Sequence, residues 1–376
     1  MLKKYKLGTA ILCVLLLGLV LIVVTKTAKN PYNTYALQAA SWLAGRTDLG
    51  QNYAHLEIAT YGGKFYASFP PFPSVVLLPF VLLFGASTPD ALLSLLFAAL
   101  SVYFAYQIAM QYQKSDTEAI FWALFVTIGS NFLTIMFEGW VWFFAQTLSF
   151  TFSMGAIYAA LRRRPVLSFL LLAFACGCRP FQLLYCPILV MLLREKEVGW
   201  KQIAYALLPA FLVGLLYMGY NVLRFGNPFE FGHNYLPEFL ANRQFSLSYL
   251  PQNLYRLVRL PSLEAGHLVI PLFDGFAFYL VSPIFILYVL QLVHAPSKSN
   301  CFLFFLLLLH LVFLCCHRTM GGWHFGNRYT VDLLPFVLLG CVWQRKKLPA
   351  TPVCILLLFY GILVNTAGIL FLLLFS

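Results

Sequence analysis

The chain has 376 residues, of which 61% are hydrophobic and only 10% charged, with a formal net charge of +12. Soluble domains carry roughly 25% charged residues, so this composition excludes a water-soluble globular protein. Apolar runs of about 20 residues, enough to cross a bilayer, recur from end to end. The Lys and Arg excess is therefore a topology signal and implies no nucleic acid. The nine cysteines fall almost all in apolar runs, as at Cys13, Cys176, Cys186, Cys301 and Cys354. They read as small buried hydrophobes, with no zinc-site or disulfide spacing.

Lys3, Lys4 and Lys6 precede an apolar run from Leu7 to Val24. No small-residue cleavage site follows, so the run is predicted to be a first transmembrane helix with its lysines in the cytoplasm, not a signal peptide. Residues 25–72 then form a first external loop with an amphipathic helix. The segment from Pro73 to Phe84 is only about 12 residues, against the roughly 20 that a span needs. If it crossed, the Arg162-Arg163-Arg164 cluster would lie outside, against the positive-inside bias. Residues 73–86 are therefore predicted to be interfacial or re-entrant. All the strongly basic short loops then fall inside: the N-terminus, Lys114, Arg162 to Arg164, Arg194 to Lys201, Lys298, and Arg345 to Lys347.

The predicted spans are 7–25, 90–111, 119–137, 140–161, 166–178, 181–193, 202–220, 271–292, 300–316, 329–343 and 351–374. This gives an all-α polytopic protein of about eleven transmembrane helices. Residues 1–376 form a single transmembrane domain in the plasma membrane, with the N-terminus cytoplasmic. Two further external loops, 221–270 and 317–328, are dense in polar and aromatic groups. Loops of this size between packed helices usually carry function. No internal repeat is evident, which weighs against an inverted-repeat transporter.

The first external loop holds two carboxylates, Asp48 and Glu57. Either has the chemistry of a general base for a hydroxyl or amine acceptor; an ordinary solvated loop acid is the competing explanation. Glu138, in Glu138-Gly139-Trp140, is an acid at the hydrocarbon edge, costly unless paired or hydrated, or else a favourable charge at a helix N-terminus. Arg179, followed by Pro180, interrupts an apolar stretch and needs a partner or water unless it snorkels. Arg224, Arg243, Arg256, Arg259, His267, Arg318, His324 and Arg328 add positive groups on the external side, suited to phosphate capture or to lipid headgroups. In Gly321-Gly322-Trp323-His324-Phe325-Gly326-Asn327-Arg328, glycines permit close backbone approach. Trp323 offers a face for sugar stacking, or serves in the aromatic belt.

In their order along the chain, these pieces resemble bacterial members of the GT-C superfamily, polytopic glycosyltransferases that use polyprenyl-phosphate-linked sugars, such as the protein-mannosyltransferase and aminoarabinose-transferase types. The resemblance rests on Gly45-Arg46-Thr47-Asp48-Leu49, on Tyr61-Gly62-Gly63-Lys64-Phe65-Tyr66 and on Phe69-Pro70-Pro71. It continues through Glu138-Gly139-Trp140-Val141-Trp142, Arg179-Pro180, Tyr220 to Gly232, and Gly322-Trp323 to Asp332. It implies a GT-C-like fold and a sugar moved from a polyprenyl-phosphate carrier to an acceptor on the external face. Asp48 or Glu57 would be the catalytic base, and Arg179, Arg224 and Arg328 would hold the donor phosphate. Glu138, Tyr66, Trp323, His324 and Asn327 would bind sugar or acceptor.

Many members carry an acid shortly after the first helix, where this chain has Asn30-Pro31-Tyr32-Asn33-Thr34. The implied partners are a polyprenyl-phosphate-linked sugar donor, membrane lipids, and a glycan, lipid or protein acceptor. No metal ligands and no certain cofactor are assigned, and a divalent cation stays open. The alternatives are a transporter or flippase of lipid-linked saccharide, with His310 as its in-span ionisable group, and a catalytically inactive GT-C-like protein.

Overall fold

The computed structural model describes residues 2–113, 115–240, 243–343 and 352–375. Lys114 and the basic run Arg345 to Lys347, two of the predicted inside loops, lie outside the described residues. In chain order the helices and strands are α1 (Leu2–Thr25), α2 (Thr34–Leu43), β1 (Ile58–Tyr61), β2 (Lys64–Ala67), α3 (Phe72–Phe84), α4 (Asp90–Met110), α5 (Asp116–Val126) and α6 (Val141–Leu161). They continue as α7 (Pro165–Cys176), α8 (Cys186–Glu195), α9 (Trp200–Phe225), α10 (Pro237–Leu240), α11 (Leu250–Val258), β3 (Ser262–Glu264) and β4 (His267–Val269). The last elements are α12 (Phe278–Val281), α13 (Ile284–His294), α14 (Lys298–Cys315), α15 (Leu334–Val342) and α16 (Pro352–Phe375).

Among the described residues, five helices are long and apolar enough to cross a membrane: Lys6–Thr25, Asp90–Met110, Trp200–Phe225, Lys298–Cys315 and Pro352–Leu374. The chain is a multi-pass membrane protein. Several predicted spans are not continuous helices. The one at 119–137 is α5 followed by a 3₁₀ turn, Asn131–Thr134, and that at 181–193 is a 3₁₀ turn, Pro180–Tyr185, followed by α8. The span at 329–343 likewise opens as a 3₁₀ turn, Arg328–Leu333, before α15. The span at 271–292 starts late, at α12 and α13, because Asp274 and Gly275 take left-handed backbone, at φ 61° and 80°.

Broken helices at membrane depth require the freed backbone groups to be satisfied by protein. Around Asn131 they are: its backbone N–H donates to Ser282 Oγ at 2.9 Å, and its amide donates to Phe325 O at 3.0 Å and Asn365 Oδ1 at 3.3 Å. The predicted loop from Asn221 begins five residues later, since α9 runs to Phe225 and ends on Gly226 at φ 68°.

α3 has 13 residues, about 20 Å of helix at 1.5 Å per residue, short of the roughly 30 Å hydrocarbon core. Pro71 precedes it and Gly85, at φ 61°, ends it. The segments 25–72 and 221–270, predicted to be external loops, each add a small antiparallel hairpin to the helical fold. β1 and β2 pair Ile58 with Ala67 and Tyr61 with Lys64, across Gly62 and Gly63 at φ 57° and 73°. Positive φ at both turn positions gives the tight two-residue loop that glycine pairs favour.

The chain forms two compact bodies, one from Leu19–Phe97 and Phe137–Gln244, the other from Met1–Gly18, Ala98–Met136 and Phe245–Ser376. In the first, α6 is almost wholly buried, and α2 and α3 pack over its N-terminal half around Tyr35, Phe69, Phe72, Phe144 and Leu148. α6 has 21 residues, about 31 Å, and separates two unlike ends of this body. At one end is the Glu138 turn with α2 and the hairpin; at the other is Arg162 to Arg164. In the second body, Phe276, Ala277, Val281 and Phe325 form one buried cluster.

Where α7 ends, Phe72 N–H donates to Gly177 O at 3.1 Å. A Cβ on Gly177 would lie 2.3 Å from Tyr217 Oη and 2.7 Å from Phe72 Cβ. Gly177→Ala is therefore expected to destabilise the protein by about 1–3 kcal/mol, read as a lower Tm of the purified protein in detergent. An unchanged Tm would mean that α3, α7 and α9 are not in contact at this point.

Candidate functional site

In the first body a set of polar groups lies at the end where α2, the β1–β2 hairpin, the N-terminus of α4 and the 137–140 turn meet. Asn30 joins three of these segments. Its amide donates to Asp90 Oδ2 and, at 2.8 Å, to Gly139 O, while its Oδ1 accepts from Tyr32 N–H at 2.8 Å. Val141 N–H donates to Tyr32 O at 3.1 Å. The Tyr32 ring lies 5.0 Å from both Trp140 and Trp142. Gly139 is held so closely that a Cβ there would stand 2.3 Å from Asp90 Oδ1.

Glu138 is fixed in the middle of this frame. The residue keeps some exposed surface, but its Oε2 is enclosed and makes no hydrogen bond, and the neighbouring Trp140 Nε1 is likewise unpartnered. Loss of water around the carboxyl raises its pKa to about 8, because an uncompensated charge is disfavoured in a low-dielectric surrounding.

Tyr35, on α2, is buried with its hydroxyl unpartnered. Burial raises its pKa well above the ordinary value; Cys178 and Glu57 reinforce the shift and Arg179 opposes it. Glu57 and Arg179, half-buried, thus both act on the same phenol. Tyr66 collects the other pair: burial raises its pKa first, Asp48 adds to the shift and Arg224 opposes it.

Asp48 Oδ1 accepts from Gly50 N–H at 2.8 Å, closing its own turn. Arg224 is 2% exposed and donates from Nη1 to Ala67 O at 2.7 Å and from Nη2 to Asn221 Oδ1 at 2.8 Å. Its guanidinium lies 4.3 Å above the Tyr220 ring. Arg224 therefore fastens α9 to the hairpin, and only Nε is left without a partner.

The remaining expected site residues belong to the second body. Trp323 is 70% exposed and meets Phe273 edge-on at 5.7 Å. His324 and Asn327 are buried, and both ring nitrogens of the one and both amide atoms of the other are unpartnered. Burial, and then the charge of Arg328, push the His324 pKa down to about 3, so the ring is neutral at physiological pH. Arg328 is buried and donates from Nε to Gly321 O at 3.0 Å.

Beside them Asp274 accepts from Met320 N–H at 2.9 Å and pairs with Arg256 at 3.0 Å, while Arg259 donates to Gly275 O at 2.8 Å. Sequence reasoning did not single out Asn30, Tyr32, Tyr35, Asp90 or Asp274. An acid opening a helix, as Asp90 does, is commonplace, and nothing in the sequence pairs it with Asn30. Among the described residues no three His, Cys, Asp or Glu side chains gather closely enough to hold a metal ion.

No protein-family model and no curated protein matches the sequence. Two solved structures do resemble the fold. The crystal structure of ArnT from Cupriavidus metallidurans bound to undecaprenyl phosphate superposes with a TM-score of 0.53 at 15% identity, over 94% of this chain and 63% of that one. Apo ArnT from the same organism gives a TM-score of 0.51 at 13% identity, over 88% and 59%. The chain therefore has a fold like that of ArnT. It spans less than two thirds of the ArnT length.

A carboxyl whose pKa is raised on folding holds its proton more tightly in the folded state. Its contribution to stability is fully present below the unfolded value, roughly 4.3 for Glu, and is lost as pH rises towards about 8. The Tm of the wild type is expected to fall across this window, and Glu138→Gln, an uncharged isostere, to flatten the slope. An equal slope in both proteins would place the titrating group elsewhere.

Proposed function

We propose that this protein transfers a sugar from a polyprenyl-phosphate carrier to an acceptor at the membrane face that carries Glu138. The observation that carries the proposal is the Glu138 carboxyl, whose Oε2 is enclosed without a hydrogen-bond partner and whose pKa is raised to about 8. A general base is most effective when its pKa lies near the working pH. Glu138 takes the proton from the acceptor hydroxyl or amine as the new bond to the sugar's anomeric carbon forms. The bond from that carbon to the carrier phosphate breaks, and the charge left on the phosphate is stabilised by Arg179, as positioned cations stabilise oxyanions. The ArnT fold, solved in one case with undecaprenyl phosphate bound, supports the choice of lipid.

The facing follows from the charges. Arg162 to Arg164 lie at the far end of α6 from Glu138, and the positive-inside bias puts them in the cytoplasm. One oxygen of Asp48 accepts from its own turn, and Glu57 and Asp48 are the alternatives to Glu138 as base. Arg224 acts as a structural tie.

Transfer from a labelled polyprenyl-phosphate sugar tests the assignment. Glu138→Gln is expected to lower kcat by about 10²–10⁴-fold, the usual worth of a general base, and Asp48→Asn to change it by no more than about twofold. The wild-type rate should rise with pH until about 8, the opposite sense to its stability. Full activity in Glu138→Gln with loss in Glu57→Gln would move the base to Glu57. Movement of the lipid-linked sugar across vesicles without product would support transport instead.

A further inference from the structure

The end of the first body remote from Glu138 carries a constellation that the transfer chemistry does not use. Two turns meet there, one joining α6 to α7 and the other joining α8 to α9. They bring Arg162, Arg163, Arg164, Arg194, Lys196 and Lys201 together against only Glu195 and Glu197. Arg163 Nη2 pairs with Glu197 Oε2 at 3.1 Å, although the two side chains are 61% and 83% exposed. Both residues hold left-handed backbone, at φ 57° and 64°, where each closes the C-terminus of its helix, with Arg164 N–H donating to Ala159 O at 2.9 Å and Val198 N–H to Leu193 O at 3.0 Å.

Between the turns lies a cavity of about 630 Å³ lined by Arg163, Lys196, Glu197, Pro165, Val166 and Tyr205, among others. It adjoins a second hollow of about 370 Å³, lined by Arg164, Pro165, Val166, Leu167 and Leu170. The two share Pro165 and Val166, so a cationic chamber, with two bases to one acid, lies beside an apolar one. Val166, Leu167 and Tyr205 are exposed on the membrane-facing helices α7 and α9.

We infer that this is a binding site for an anionic phospholipid of the bilayer. The headgroup phosphate lies between Arg163 and Lys196, and an acyl chain enters the hollow at Leu167 and Leu170. Basic side chains near an anionic membrane surface attract its headgroups, and guanidinium is the better phosphate fork. Free phosphate would fill the cationic chamber but leave the apolar one empty. The site is independent of the proposed transfer, since it uses none of its residues.

The test uses the full-length protein stripped of lipid in detergent, titrated with phosphatidylglycerol, phosphatidylcholine and inorganic phosphate, with native mass spectrometry and Tm as readouts. Phosphatidylglycerol is expected to give a retained adduct and a raised Tm, at an affinity at least tenfold above phosphatidylcholine. Arg163→Gln combined with Lys196→Gln should abolish that preference. Glu197→Gln, which releases Arg163 from its partner, should tighten binding, so the inference does not depend on one variant's folding. Equal binding of the two lipids, unchanged binding by the double variant, or equal stabilisation by inorganic phosphate alone would overturn it.

Discussion

The amide of Asn30 holds the 137–140 turn against the head of α4, and the chemistry of the first body depends on that tie. One side chain bridges a carboxylate and a backbone carbonyl from segments 60 and 109 residues away. The bond to Asp90 is charge-assisted and the one to Gly139 is not, and charge-assisted bonds are roughly twice as strong. Gly139 has no room for a Cβ, so this close approach of the turn to Asp90 requires glycine. Glu138 is thereby held where its carboxyl loses water and gains no partner. An unpaired buried polar group is costly, and such costs collect where function requires them.

α3 belongs to the same arrangement. Pro71 and Gly85 bound a helix shorter than the hydrocarbon core, and it packs with α2 against α6. The segment that carries α2 and the hairpin thus lies at one end of the body, and the arginines of the α6–α7 turn lie at the other. Charge asymmetry along α6 and the shortness of α3 are two expressions of one arrangement.

Much of this was legible in the sequence. Composition and run length gave the membrane class, and the positive-inside bias singled out residues 73–84. Glu138 was visible as an acid at a tight turn. The broken helices were not, because an apolar run reads alike whether it is one helix or a short helix and a 3₁₀ turn; the break at Asn131 depends on Ser282, Phe325 and Asn365, all more than 150 residues away. The hairpin at Gly62-Gly63 carries a turn signal, but its strands are only four residues long. The bonds of Arg224 to Ala67 and Asn221 were not legible either, because sequence does not distinguish an arginine aimed at solvent from one that ties two segments together. Asp90 carried no signal at all, since its meaning lies in Asn30.

The most direct measurement is a structure of the full-length protein with a polyprenyl phosphate bound. The account predicts phosphate density within hydrogen-bonding reach of Arg179, at the end of the first body that carries Glu138. Density for that phosphate between Arg163 and Lys196, at the opposite end, would contradict it.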